Sequence, residues 1–102
     1  MTQVTALVLR AVALGHRYGF DVMERCGLPS GTVYPALRRL DRAGLLASGW
    51  EDADVARAEG RPRRRTYRLT PAGRASLAEA EAKLAEVERI LRDLPAAKAG
   101  ET

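Results

Sequence analysis

One cysteine, one histidine, two lysines, one phenylalanine and one tryptophan stand among 102 residues, and each scarcity excludes something. Cys26 alone excludes an internal disulfide framework, and a reduced intracellular, cytoplasmic setting is expected. With His16 as its sole companion, no metal cluster, no Ser-His-Asp or Cys-His constellation and no Gly-rich phosphate loop can be assembled. An enzyme is therefore the least supported class, and no cofactor is expected. Long apolar runs are lacking too. The stretch from Val4 to Leu14 is broken by Arg10, is too short to span a bilayer and has no basic segment ahead of it, so neither a membrane span nor a signal peptide is expected.

What is abundant is arginine, and it is unevenly spread. Residues 1–75 hold thirteen arginines against seven carboxylates, whereas residues 76–102 hold four basic against six acidic residues. A pI near 9.8 with arginines clustered in the first three quarters points to a polyanionic partner, most often nucleic acid. A chain this short buries only a modest core, which makes association with a second copy a natural way to gain buried surface.

The segment from Leu28 to Gly44 carries the clearest pattern. On a 3.6-residue period Val33, Leu37 and Leu40 share one side, Gly31, Pro35, Arg38 and Arg42 the other, with Tyr34 at the edge. Pro35 lacks an N–H, so this helix cannot begin far upstream of Gly31 or Thr32; Ser30 is its expected cap and Gly44 its stop. Two helices precede it. The first spans about Val4 to Gly15, with Val4, Leu7, Val8, Ala11 and Val12 on its main apolar side and Leu9, Ala13 and Leu14 making a second. The other runs from about Tyr18 to Cys26, with Phe20 and either Met23 or Val22 inward and Gly27 as its stop.

Leu45 and Leu46 lead into an expected strand through Trp50, and Thr66 to Leu69 alternates as a returning strand. Between them Glu51 to Arg65 reads as a long hairpin loop with a basic tip, Gly60-Arg-Pro-Arg-Arg-Arg65. Three helices and then a hairpin make a winged helix. Thr70-Pro71 opens a last helix of about 24 residues to Leu94, before Pro95. In it Leu77, Leu84 and Leu91 alternate with Ala80, Val87 and Leu94 as an a/d seam, broadened by Ile90, that packs partly on another element such as the first helix. The expected fold is mainly α with a small β-hairpin: a winged helix-turn-helix DNA-binding domain over 1–70, a C-terminal dimerisation helix over 71–94 and a disordered tail over 95–102.

Tyr18-Gly19, the box Gly31-Thr-Val-Tyr-Pro-Ala-Leu-Arg-Arg-Leu-Asp41, Gly44-Leu-Leu46 and the box from Gly60 to Gly73 together resemble the PadR family of bacterial transcriptional regulators, over roughly residues 4–94. The similarity is to the subfamily with one short C-terminal dimerisation helix. The resemblance implies a homodimeric repressor on a palindromic operator in double-stranded DNA, each third helix in a major groove and each wing along the flanking minor groove. Two features depart from the family pattern: the stretch from Tyr18 to Gly31 is short, and Pro29-Ser30 precedes the Gly-Thr box. Some relatives bind flat aromatic drugs beside a tryptophan of the last helix. Here that helix has no aromatic residue and the single tryptophan, Trp50, lies on the first wing strand, so the drug-binding role does not carry over and any small-molecule effector is left unidentified.

The candidate DNA-binding residues follow. N–H groups at Ser30, Gly31 and Thr32 favour phosphate, Arg38 suits base edges or else grips phosphate, Tyr34, Arg39 and Arg42 suit the backbone, and Pro35 lies among them. Arg61, Arg63, Arg64 and Arg65 either enter an A·T-rich minor groove or make nonspecific phosphate contacts, and Arg65 and Arg68 are alternatively solvent-facing or paired with Glu51. The bland reading of the third helix is a solvated basic face. Val8 and Val12 join Leu77, Ala80, Leu84, Val87, Ile90, Leu91 and Leu94 as candidate dimerisation residues. Cys26 is expected to be a buried small residue rather than a redox switch, His16 a turn residue rather than a pH sensor, and Trp50 a hairpin anchor rather than part of an effector pocket. The competing function is a protein-interaction adaptor whose basic face docks an acidic protein.

Overall fold

The computed structural model describes residues 1–97, in the order α1 (Gln3–Ala13), α2 (Gly19–Cys26), α3 (Ser30–Arg42), β1 (Leu46–Trp50), α4 (Ala53–Ala58), β2 (Arg65–Leu69) and α5 (Pro71–Asp93). Of the tail expected over 95–102, residues 95–97 carry no regular structure and 98–102 lie outside the described residues.

The helix ends follow from local chemistry. The Thr2 hydroxyl accepts from the Thr5 N–H at the start of α1, and α2 stops at Gly27, whose φ of 66° is the left-handed conformation glycine adopts without strain. The cap of α3 differs from expectation. Pro29, not Ser30, holds the cap position, with φ −73° and ψ 160°. Its carbonyl accepts from the N–H groups of Thr32 and Val33 at 3.0 and 3.1 Å. The residue before a proline is pushed out of the helical region, which breaks the chain at Leu28, and the proline itself then takes the extended cap geometry.

The core is built from one face of each of the first three helices, closed by Leu46, Tyr67 and Leu77. Val33, Ala36 and Leu37 are fully buried and Leu40 almost so. The inward face of α2 is Val22, with Met23 half-buried; Phe20, expected inward, is exposed. Eight residues give barely two turns, too few for periodicity to decide which face turns in. On α1, Leu9 is buried and Leu7 exposed, the reverse of the main-face expectation.

β1 and β2 pair antiparallel from Leu46 opposite Leu69 to Trp50 opposite Arg65. The Tyr67 N–H also donates to the Arg17 carbonyl at 2.9 Å, fastening the segment before α2 to the hairpin. The connection between the strands is not merely a loop. Asp52 accepts from the N–H groups of Asp54 and Val55, and Ala56 is buried, so α4 forms within it.

α5 is seated on the turn after α3. Thr70 caps it, accepting from the Gly73 N–H at 3.0 Å while donating its hydroxyl to the Gly44 carbonyl at 2.6 Å. A Cβ at position 73 would overlap the Leu45 carbonyl oxygen. Helix propensity alone predicts that Gly73→Ala stabilises by up to about 1 kcal/mol. The overlap is with backbone, which has no rotamer to escape through, so we expect a net loss of about 2 kcal/mol instead. Thermal unfolding should then show a midpoint lowered by about 10 °C; an unchanged or raised midpoint refutes the close approach.

Candidate nucleic-acid interface

α3 presents its outer side to solvent because its inner side is held by four buried residues. Arg38, Arg39 and Arg42 are exposed and, among the described residues, take part in no ion pair. Ser30 and Gly31 are exposed at its first turn, with Thr32 and Pro35 half-buried. Tyr34 is placed by packing: a Cβ at Gly19 would overlap its ring, so the start of α2 and the side of α3 fit together only because residue 19 is glycine.

The wing is organised around Glu51, just beyond β1, whose relative exposure is 5%. Its carboxylate accepts from both terminal nitrogens of Arg61, at 2.5 and 2.8 Å, and from the Arg64 guanidinium at 3.0 Å. The Tyr18 hydroxyl reaches it at 3.4 Å. Its backbone N–H donates to the Arg64 carbonyl at 2.8 Å, and its own carbonyl accepts from Arg63 Nε at 2.8 Å. The Arg64 guanidinium lies 3.7 Å from the centroid of the Tyr18 ring. Hydrogen bonding from Arg61, then from Arg64, outweighs burial and holds the Glu51 carboxyl down at about 2, while Arg61 is pushed up by the same bond. A depressed carboxyl contributes stability above its ordinary range, lost only as pH falls toward that value. The anchor is thus charged throughout the neutral range.

This geometry revises the wing as read from sequence. Arg61 is turned inward, with 23% of its side chain exposed, and also pairs with Glu59. Arg63 bonds back to the hairpin, and Arg64 is divided between Glu51 and solvent. Glu51 pairs with Arg61 and Arg64, not with Arg65 or Arg68. Arg65 instead donates to Ser48 Oγ at 2.7 Å, and Ser48 donates to Asp41 at 2.6 Å, which joins the wing to the last turn of α3. Arg65 also lies 5.1 Å from the ring of Trp50, which is exposed. Sequence reasoning offers Glu51 only as a partner of Arg65 or Arg68 and misses it as the buried anchor of the wing, because the charge run around it reads as a solvated loop.

The expected seam residues divide into two sets. Val8, Val12 and Leu77 are buried inside the single chain and Ala80 is half-buried, whereas Leu84, Val87, Ile90, Leu91 and Leu94 are exposed. The first turns of α5 pack on α1, where Arg10 and Glu81 pair at 3.4 Å. Leu7 and Leu84 line the groove beside that pair. Elsewhere, Cys26 is partly buried with its thiol pushed up by burial, and His16 Nδ1 lies 3.0 Å from Asp21 Oδ2. Among the described residues no cluster of three metal-ligating side chains occurs, and no helix is long and apolar enough to cross a membrane.

The chain is similar to several known proteins. A transcriptional regulator of Mycobacterium tuberculosis is 49% identical over 73 residues, covering 72% of this chain and 57% of the relative, so the chain spans little more than half of that protein's length. A PadR-like transcription factor from Bacteroides fragilis superposes with a TM-score of 0.71 at 26% identity, over 87% of this chain and 86% of the other. The PcaV transcriptional regulator from Streptomyces coelicolor, solved in complex with its natural ligand, gives 0.75 at 28% identity, over 94% and 64%. The fold is that of PadR-like transcriptional regulators. With the model of the transcriptional regulator PadR-like family matching residues 8–79, the chain belongs to that family.

Proposed function

We propose that the protein is a homodimeric repressor that occupies a palindromic operator, with α3 of each copy in a major groove and each wing along the flanking minor groove. The observation that carries this reading is α3 itself, with a fully packed inner face and, on the outer one, three exposed arginines that form no ion pair among the described residues. Arg38 reads base edges, since a guanidinium fork matches guanine O6 and N7. Tyr34, Pro35, Arg39 and Arg42 lie along the backbone, and the first-turn N–H groups of Ser30, Gly31 and Thr32 receive a phosphate. Arg63, Arg64 and Arg65 supply the contacts of the wing, with Arg61 behind them.

In this reading residues 1–70 form the DNA-binding unit and 71–94 the dimerisation helix, using Leu84, Val87, Ile90, Leu91 and Leu94, which are too apolar a set to leave facing water. Release of the operator by a small molecule is part of the proposal, supported by the likeness to PcaV and its bound natural ligand. Binding to genomic fragments in rising salt tests the whole. We expect a discrete footprint with dyad symmetry that survives competitor DNA, whereas a basic adaptor for an acidic protein shows only weak binding that salt abolishes.

A further inference from the structure

We infer that Glu51 is a positioning residue for DNA binding: a carboxylate inside the basic wing that raises affinity for a polyanion by holding the wing in shape. The inference rests on the DNA-binding reading above and identifies a residue on which that reading depends. Charge alone predicts the opposite sign, because Glu51 neutralises guanidiniums that would otherwise attract phosphate.

Geometry reverses that sign. Glu51 is buried, and it closes the connection that carries α4 by binding Arg61, Arg63 and Arg64 on the far side of it. Without the carboxylate, Arg61, left with its pair to Glu59, and Arg64 converge on one site, and like charges at that distance separate. Residues 52–63 then keep only the bonds that the Glu51 backbone makes to Arg64 and Arg63, lose the side-chain fastening at their far end, and must be ordered anew each time DNA binds. One charge already paired with two guanidiniums is a smaller effect than the ordering of a dozen residues. Glu51 also sets where the wing stands. It reaches Tyr18, which stacks under Arg64 and directly precedes Gly19, the residue against which the Tyr34 ring of α3 packs. The carboxylate thereby links the angle of the wing to the reading helix, so that both engage one duplex together.

The test compares the full chain with Glu51→Gln, Arg61→Gln and the double variant, by affinity for the footprinted site at fixed salt and by Trp50 fluorescence anisotropy without DNA. Trp50 is the only tryptophan and sits one residue before Glu51, so it reports wing order directly. We expect Glu51→Gln to bind about tenfold more weakly despite its lost negative charge, with the double variant no worse than the weaker single one, as for residues of one network. Trp50 anisotropy should fall in all three. Equal or tighter binding by Glu51→Gln overturns the inference while leaving the DNA-binding reading intact. Absence of any footprint for the unaltered protein overturns that reading instead, and anisotropy alone then decides the role of Glu51, an unchanged value refuting it. Should Glu51→Gln lose its helical circular dichroism, Arg61→Gln, which keeps the carboxylate bonded to Arg64 and Tyr18, is judged by the same anisotropy.

Discussion

Leu84→Asp combined with Leu91→Asp is expected to give a folded monomer whose operator affinity is lowered by about a thousandfold, the scale of joining two binding heads into one molecule. Both side chains are more than half exposed in the single chain, so the variant leaves the core from Val8 to Leu77 untouched and helical circular dichroism intact. The loss falls on the contact between copies. Burying a leucine is worth about 1.5 to 3 kcal/mol, and a dimer holds each of these positions twice. Aspartates there bring four like charges into an apolar seam, where water no longer solvates them. Light scattering reports the mass and a mobility shift reports the affinity. A variant that remains dimeric removes α5 from the interface, and one that is monomeric yet binds with full affinity removes the requirement for two copies.

The second large effect is expected at Arg38. Arg38→Ala should weaken specific binding and flatten the preference at one base pair of each half-site, because a bidentate arginine is worth about 1 to 3 kcal/mol of discrimination and a dimer loses it twice. Neighbouring arginines should behave differently. Arg39→Ala and Arg42→Ala are expected to weaken binding evenly across sequences and to reduce the slope of log affinity against log salt by about 0.9 for each phosphate no longer neutralised. The contrast separates reading from gripping on one helix. If Arg38→Ala keeps its footprint, its affinity and its base preference, α3 is not read as proposed.

Much of this is legible in the chain because it is local. The apolar stripe of α3 and the Thr70-Pro71 start of α5 are properties of residues a few positions apart, and each is found where its period places it. The cap of α3 lies one residue before the expected Ser30, since Pro29 competes with it through backbone geometry and not through a side-chain bond. α4 is hidden by its charges. Its cap at Asp52 is a local signal, but its burial through Ala56 is not.

By itself the sequence determined the winged-helix order of elements and a basic outer face on α3, which follow from composition and short-range spacing, and through the likeness of its motifs the family. Only the tertiary structure decided which side of α1 is core, where the leucine seam passes from the chain's interior to its exposed half, and that a buried carboxylate organises the wing. Each of those depends on segments distant in sequence coming together, as when Tyr18 meets Glu51 and Gly73 meets Leu45. A period describes one helix; it carries no information about which other segment will cover that helix or which charge will find its partner.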